Sequence, residues 1–470
     1  MALALALPGS ANETVLSEVT KLIASDAQTG DQFGWSVAIS GDTAVLGAYA
    51  KAGFSGAAYV FEWNQSGPGN WSEVTRLTAS DAQADDQFGI SVAISGDTAI
   101  LGAYLEDAGG NSAGATYIFQ RNQGGSNNWG EVTKLTASDA QAGDGFGGVV
   151  AISGSTAIVG AVREDTGGVD AGAVYIFERD EGGTNNWGEV TKLTASDAQA
   201  NDGFGASVAI SGDAAIVGAR WEDAGGSSAG AAYVFERNQG GPDNWGQVTK
   251  LIASDAAAND QLGWGSAVSG ETAIVGAYLE DARGNNAGAA YIFQRNQGGP
   301  NNWGEVRKLT ASDAQDSDHF GLRVAMGGDT AIVGARNEDT GGGDAGAVYV
   351  FERDEGGPDN WGEVQKLVAS DAEAGVSFGV SVAISGNAAV VGAYFDNAAG
   401  IDAGAAYVFG LQAVGGIAEL AEVAAAPVET TASSGSSASV LAGVAALAIA
   451  TVALAFSRAA WYIRQRLRLR

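Results

Sequence analysis

Short stretches of the chain alternate between large and small side chains. In FGWSVAIS, residues 33–40, the Phe, Trp, Val and Ile fall on one face and the Gly, Ser and Ala fall on the other. A period of two residues indicates a β-strand, and this contrast in size suits close packing between neighbouring sheets. TAVLGA, residues 43–48, predicts a second strand, joined to the first by a Ser-Gly-Asp sequence that favours a tight hairpin turn.

Two further strands complete the unit, GAAYVFE at residues 56–62 and WSEVTRLTAS at residues 71–80. None of the four segments shows helical spacing. A repeat of fixed period predicts one array of supersecondary units rather than several unrelated domains. The unit recurs seven times, and the tyrosine of its third strand returns every 58 residues, as Tyr59, Tyr117, Tyr175, Tyr233, Tyr291, Tyr349 and Tyr407.

Seven units of four antiparallel strands predict an all-β fold, a seven-bladed β-propeller over residues 15–410. A stacked solenoid is the alternative, but it needs capping repeats at both ends. Here LSEVTKLIAS, residues 16–25, is a spare copy of the fourth strand, whereas the seventh unit stops after its third strand at Phe409. We therefore expect the N-terminal strand to close the ring in the last blade and to bury Val19 and Leu22 there.

Six of the seven units carry Phe-Gly at the start of the first strand, and the fifth has Leu262-Gly263; every unit carries Gly-Ala at the end of the second strand, as in Phe33-Gly34 and Gly47-Ala48. This pattern resembles the FG-GAP repeats of integrin α-subunit propellers and their microbial relatives, over about residues 15–410. The resemblance implies the seven-bladed fold and a role in adhesion or recognition. The family's calcium loop, DxDxDG, is reduced here to SGDT, which is too short to surround a cation with oxygen ligands. We therefore carry over no Ca²⁺ site at these loops and assign no metal-binding residue and no cofactor; whether Ca²⁺ or another divalent cation binds elsewhere stays open.

The composition excludes several classes of function. The formal net charge is −31, from 55 acidic and 24 basic residues. Nucleic acid is excluded as a partner, because binding to phosphates needs a basic surface. The chain has no cysteine and a single histidine, His319. It therefore has no disulfide and no thiol nucleophile, and it offers little for imidazole catalysis or a zinc centre.

Acidic residues cluster in the loops that join the second strand of a unit to the third. Because the strands alternate in direction, these loops share one face of the ring with the fourth-to-first loops, which carry aspartates of their own. Carboxylates in such loops bind cations, basic partners or glycan hydroxyls; alternatively, they cap local turns and solvate the rim. The candidate ligand-binding residues are the Glu-Asp pairs of five repeats, Glu106, Asp107, Glu164, Asp165, Glu222, Asp223, Glu280, Asp281, Glu338 and Asp339.

Three features break the regularity of the repeat. They are the short loop at residues 50–56, Trp221 and His319. A dedicated active site usually differs between one blade and the next, so these positions are more informative than the acidic pairs. No catalytic residue is assigned, because carboxylates are so abundant that any two of them could be paired.

Both ends of the chain differ in composition from the repeats. Residues 1–14 include a short apolar stretch without a basic start, which predicts a leader or a truncated signal segment. Residues 411–439 are rich in Ala, Ser and Thr and predict a flexible stalk. The apolar residues 440–457 predict a transmembrane helix, and residues 458–470, with five arginines, predict a basic cytoplasmic tail. Whether this helix is retained or processed stays open.

Together these features predict a single-pass membrane protein at the cell surface. Its propeller lies outside the membrane and recognises a protein or glycan ligand without catalysis. Two alternatives stay open. One is a surface hydrolase or lyase that uses a symmetry-breaking pair of carboxylates near the ring axis, and the other is a structural component of the cell envelope.

Overall fold

The computed structural model describes residues 15–411, apart from residues 65–69, 124, 182, 185, 240 and 242. The predicted leader (1–14), transmembrane helix (440–457) and basic tail (458–470) lie outside the described residues, as does the predicted stalk beyond Leu411. No helix in the described part of the chain has the length and hydropathy that a bilayer crossing requires.

The described residues form seven antiparallel sheets of four strands, which confirms the predicted blades. The chain begins with β1 (Leu16–Leu22). Blades one to three follow as β2 (Ser36–Ser40), β3 (Thr43–Ala48), β4 (Ala57–Trp63), β5 (Trp71–Leu77), β6 (Val92–Ser95), β7 (Thr98–Ala103), β8 (Ala115–Arg121), β9 (Trp129–Leu135), β10 (Phe146–Ser153), β11 (Thr156–Ala161), β12 (Ala173–Glu178) and β13 (Gly188–Leu193).

The remaining blades continue the same order. They are formed by β14 (Phe204–Ser211), β15 (Ala214–Ala219), β16 (Ala231–Glu236), β17 (Gly246–Leu251), β18 (Leu262–Ser269), β19 (Thr272–Ala277), β20 (Ala289–Arg295), β21 (Trp303–Leu309), β22 (Phe320–Gly327), β23 (Thr330–Ala335), β24 (Ala347–Glu352), β25 (Gly362–Leu367), β26 (Ser381–Ser385), β27 (Ala388–Ala393) and β28 (Ala405–Leu411). One short helical turn, α1 (Lys51–Phe54), lies between β3 and β4.

The seventh blade is completed by the N-terminal strand, as the sequence predicts. Its sheet has the order β1-β28-β27-β26, and β1 pairs antiparallel with β28. Leu16 and Leu22 are buried at the two ends of β1, at 5% and 3% exposure. The predicted burial of Val19 is wrong, because the pairing register shifts between Glu18 and Thr20 and leaves Val19 half-buried in a bulge.

The first and second strands of a blade are joined by a two-residue hairpin. In blade one, Ser40 pairs with Thr43, so Gly41 and Asp42 form the loop. Gly41 has φ +56°, in the left-handed region that such hairpin turns require at this position. The innermost strand of every blade therefore begins at one face of the ring and turns back at the other.

The glycines of the Phe-Gly and Gly-Ala pairs meet across the seam between neighbouring blades. A Cβ on Gly47 would lie 2.0 Å from the carbonyl oxygen of Gly89 in the next blade. A Cβ on Gly392 would lie 1.9 Å from the carbonyl oxygen of Gly34, so the same contact closes the ring between blades seven and one. No side chain fits at these positions, and this steric limit explains why the pattern recurs in every repeat.

The hydrophobic core consists of seven clusters, each shared by two adjacent blades. In the cluster between blades seven and one, Phe33 is fully buried, and its ring centroid is 5.4 Å from that of Tyr59 in an edge-to-face arrangement. The ring centroid of Phe61 lies 6.0 Å from that of Phe33. Leu22 of β1 and Val408 of β28 pack on this cluster from blade seven. Buried aromatic rings of this kind recur around the ring and, with the aliphatic residues packed on them, stabilise it.

A second set of contacts joins the outer strands of neighbouring blades. The hydroxyl of Ser25 donates to the carboxylate of Glu73 at 2.8 Å, and the equivalent bond from Ser370 to Glu18 crosses the last seam at 2.8 Å. The closing strand β1 therefore forms the backbone ladder with β28 within blade seven and also accepts, through Glu18, the hydrogen bond from Ser370 of blade six.

Candidate functional site

The predicted Glu-Asp pairs lie together on one face of the ring, in the loops between second and third strands. Glu106, in blade two, is buried at 2% exposure. Its carboxylate is 2.7 Å from the ammonium of Lys134 and accepts the backbone N–H of Ala108 at 3.0 Å. Lys134 also binds Asp81 at 2.7 Å, and the hydroxyl of Tyr117 donates to Asp81 at 2.7 Å. The glutamate is thus the inner member of a network that ties the loop to the blade.

The same network recurs in the other four repeats that carry the pair. Each glutamate is buried and lies 2.6 to 2.8 Å from a lysine of the fourth strand. These partners are Glu164 with Lys192, Glu222 with Lys250, Glu280 with Lys308, and Glu338 with Lys366.

The aspartate of each pair is exposed and closes its own loop. Asp107 accepts the backbone N–H of Ser112 at 2.7 Å. In the other four repeats the carboxylate of the aspartate likewise accepts the backbone N–H five residues further on: Asp165 from Asp170, Asp223 from Ser228, Asp281 from Asn286, and Asp339 from Asp344. The prediction that these ten residues bind a ligand stays a prediction; their observed contacts are turn capping and internal ion pairs.

Two kinds of aspartate in the fourth-to-first loops have opposite pKa shifts. Burial alone would raise the pKa of Asp81, but the hydrogen bonds from Lys134 and Tyr117 outweigh it and lower the pKa below its ordinary value. Asp318 has no such cation. Burial, together with the negative charge of Glu338, raises the pKa of Asp318 to about 6, even though its carboxylate accepts the backbone N–H of Gln315.

Blade one replaces the glutamate of the network by a lysine and still balances its charge. Lys51, buried at 4% exposure, lies 2.7 Å from Asp31. Asp26 pairs with Arg76 at 2.6 Å, because Arg76 stands where the other blades have lysine. The irregular short loop at residues 50–56 is therefore a rearranged version of the same scaffold.

Among the residues that the structure describes, no group of three or more His, Asp or Glu side chains is arranged to hold a metal ion. The carboxylates of the network in blade two instead pair with a lysine, a tyrosine hydroxyl and backbone amides.

The blades differ most where the innermost strands begin, at the mouth of the central channel on the same face. The position after the Phe-Gly pair is occupied by Trp35, Ile90, Gly148, Ala206, Trp264, Leu322 and Val380. The position after the Gly-Ala pair is occupied by Tyr49, Tyr104, Val162, Arg220, Tyr278, Arg336 and Tyr394. The same backbone thus presents different side chains around the axis; we call this opening the axial mouth.

An arginine between two indole rings dominates the axial mouth. The guanidinium carbon of Arg220 lies 4.1 Å from the ring centroid of Trp221 and 4.2 Å from that of Trp264. Trp264 also contacts Tyr278 at 4.7 Å between centroids, and Tyr278 contacts His319 edge-on at 5.3 Å. The two residues that break the repeat pattern, Trp221 and His319, therefore belong to one cluster. Stacked in this way, the guanidinium keeps its plane fixed.

A second arginine, Arg323, lies on the innermost strand β22 and points into the channel. Its side chain is half-buried and lines a cavity bounded by the innermost strands. Burial, together with the positive charges of Arg336 and Arg220, lowers the pKa of Arg323 to about 10. Burial also lowers the pKa of Arg220. Like charges are thus crowded together at the mouth.

These arginines line a pocket of about 310 Å³. Its walls include Trp35, Tyr104 and Trp264, with Arg220 and Arg323 between them. None of the described residues that line it is acidic. A second cavity of about 220 Å³ continues below it, bounded by all seven innermost strands. Sequence reasoning named Trp221 and His319 as irregular but missed the arginines, although comparing aligned positions across the repeats would have revealed them.

The fold and this axial opening define a seven-bladed β-propeller with a ligand-sized pocket on its axis. Comparison with family models matches the FG-GAP repeat at residues 16–61, 71–119, 129–177, 187–235, 245–293, 303–351 and 361–409. These segments cover more than half of the chain, which therefore belongs to the FG-GAP repeat family.

Comparison with solved structures supports the fold alone. The crystal structure of Sqt1 from Chaetomium thermophilum matches with a TM-score of 0.50 and 11% sequence identity, over 85% of this chain and 100% of that one. No curated protein matches the sequence.

Proposed function

We propose that this chain is a recognition propeller that binds its ligand at the axial mouth. An FG-GAP propeller fits a ligand-binding role. The observation that carries the proposal is the breakdown of symmetry at the mouth, where aligned positions hold Arg220, Tyr278, Arg336 and Tyr394 while the surrounding scaffold is repeated. Variation at one place on a constant framework is what a binding site requires.

The proposal extends to the setting predicted from the sequence. The propeller is displayed outside a membrane on a stalk, anchored by residues 440–457, and it recognises an extracellular protein or glycan without chemical conversion. The composition of the pocket supports recognition over hydrolysis, because its described lining offers arginines and aromatic rings and no carboxylate to serve as general acid or base.

The test is a binding screen with the full-length chain in detergent against arrayed glycans and secreted proteins. Trp264→Ala removes one wall of the mouth. Trp63→Ala is the matched control, since Trp63 is a partly exposed tryptophan at the opposite end of the blade strands. We expect Trp264→Ala to weaken binding at least tenfold and Trp63→Ala to leave it unchanged. Ligand binding that survives Trp264→Ala and is lost in Asp107→Asn would overturn the site in favour of the acidic loops.

The membrane setting is tested separately. Cell fractions are extracted with alkaline carbonate, and the propeller is probed with protease added outside intact cells. Retention of the chain in the membrane pellet and digestion from outside are expected. Release of the full-length chain by carbonate would contradict the anchor.

A further inference from the structure

The positive charges of the propeller fall into two groups. All seven lysines in the described part of the chain are within 2.8 Å of a carboxylate, although the protein as a whole is strongly acidic. Arg163, Arg220, Arg323 and Arg336 have no carboxylate within ion-pair distance among the described residues; the exposed Arg283 and Arg307 share this property but do not line the axial mouth. In a chain with 55 acidic residues, four unneutralised arginines around one opening are a specific feature.

Two of these arginines also retain unused hydrogen-bond donors. The Nε atoms of Arg220 and Arg336 are buried and lack a hydrogen-bond partner among the described residues; the same is true of Arg121, Arg237, Arg295 and Arg353, but these four form ion pairs through their guanidinium groups. The guanidinium of Arg220 lies over the rings of both Trp221 and Trp264, and the N–H groups at its edge are the part that can make polar contacts. A fixed, planar set of donors matches the oxygens of a carboxylate or sulfate.

The surroundings of the arginines limit the shape of the ligand. Trp35, Tyr104 and Trp264 line the same pocket and offer apolar surface to a ring. A volume of about 310 Å³ is at the lower end of the range for small-molecule sites, about 300–1,000 Å³. One or two sugar rings match this size better than a flat protein surface does.

We infer that the axial mouth binds an acidic saccharide, with the carboxylate or sulfate against Arg220 and Arg323 and the sugar ring against the aromatic walls. This inference rests on the proposed recognition function and names the ligand class of that site. Arg163, which is exposed at the edge of the pocket, contributes a weaker contact. The net charge of −31 repels anions at long range, so selective binding depends on the local arginines.

The experiment measures quenching of tryptophan fluorescence and isothermal heat of binding with the full-length chain in detergent. The probes are a glucuronate-containing disaccharide, the same disaccharide with its carboxyl reduced to an alcohol, a sulfated disaccharide, sodium sulfate and a nucleoside monophosphate. We expect the acidic disaccharides to bind at least tenfold more tightly than the neutral one and than sulfate alone.

Substitutions locate the binding. Arg220→Gln and Arg323→Gln are expected to weaken acidic disaccharide binding at least tenfold, and Arg163→Gln about threefold. Arg283→Gln is the matched control, because Arg283 is an exposed arginine on the same face that does not line the pocket. Arg220→Lys keeps the positive charge but loses the planar stacking on the indole rings. If Arg323→Gln fails to fold, this variant still separates the effect of the guanidinium geometry on binding from the effect of its charge.

The outcomes separate this inference from the proposed function. Equal affinity for the acidic and neutral disaccharides, or tighter binding of the nucleotide, would overturn the acidic saccharide and leave recognition at the mouth in place. If only a protein ligand is found and Trp264→Ala abolishes its binding, the acidic saccharide is likewise overturned and recognition at the mouth stays in place. Ligand binding that is insensitive to Trp264→Ala and Arg220→Gln would overturn both.

Discussion

The closing strand β1 offers the strongest test of the fold. Removing residues 1–24 deletes it and leaves β28 as an open sheet edge. Leu16 belongs to the cluster between blades six and seven, and Leu22 to the cluster between blades seven and one. The deletion therefore weakens two seams at once and also removes the bond from Ser370 to Glu18.

The magnitude follows from these contacts. Truncation of a buried leucine to alanine costs about 2–5 kcal/mol, so the two positions together account for about 4–10 kcal/mol. A typical net stability is about 5–15 kcal/mol. We therefore expect the truncated chain to melt about 10 °C or more below the full-length chain, or to be unfolded at 25 °C.

The assay adds the strand back. A synthetic peptide of residues 15–25 is titrated into the truncated chain while far-ultraviolet circular dichroism and melting temperature are recorded. Recovery should depend on peptide concentration, because the peptide binds only the folded ring. A peptide with Leu16→Ala and Leu22→Ala is the control and should fail to restore stability. A melting temperature unaffected by the deletion would refute the closure argument.

The remaining predictions concern single positions. Glu106→Gln should lower the free energy of unfolding by about 1–3 kcal/mol, because it removes the buried negative charge that pairs with Lys134. Asp107→Asn should change the free energy of unfolding by less than about 0.5 kcal/mol. Equal effects of the two substitutions in urea denaturation would contradict this contrast. For Asp318, the folded-state pKa of about 6 lies above the ordinary value of 3.8, so the charged form is penalised in the fold and this residue's contribution to stability falls as pH rises from about 4 to 6. Asp318→Asn should therefore stabilise the protein at pH 7 and lose that advantage by pH 4; a gain that is independent of pH would show that the carboxylate charge is not the cause. Phe320→Ala should lower the free energy of unfolding by about 3–5 kcal/mol. Phe320→Leu should lower it much less, since the fifth repeat already carries Leu262 at this position. Equal losses for the two variants in chemical denaturation would refute the packing account. Calcium should leave the melting temperature of chelator-treated protein unchanged, since no group of described carboxylates is arranged to hold a metal ion; a clear rise with calcium concentration would overturn that expectation.

The blades and their closure could be predicted because the relevant signals are local in the sequence. The alternation in residues 33–40, the turn at Gly41 and the spare copy at residues 16–25 each specify backbone structure without reference to distant residues. Val19 shows the limit of this reasoning. Its period-two position predicts burial, but a shift in pairing register at that residue removes it from the core.

The candidate site was harder to predict because it is assembled from distant parts of the chain. The burial of Glu106 depends on Lys134, which arrives with the fourth strand of the same blade. Arg163, Arg220 and Arg323 lie in three different blades, and only the ring geometry brings them to one opening. Repetition made the acidic loops conspicuous in the sequence, whereas the arginines occur at different repeat positions.

The placement of β28 has a mechanical consequence. β28 lies between β1 and β27, and each of these strands forms six residue pairs with it. A force applied to the chain beyond Leu411 therefore pulls on a strand held by a ladder on each side, and not on the edge of a sheet. Because one of these ladders is formed by β1, a load on the C-terminal side of the propeller is shared with its N-terminal strand. The closed ring thus resists unfolding that starts from its last strand.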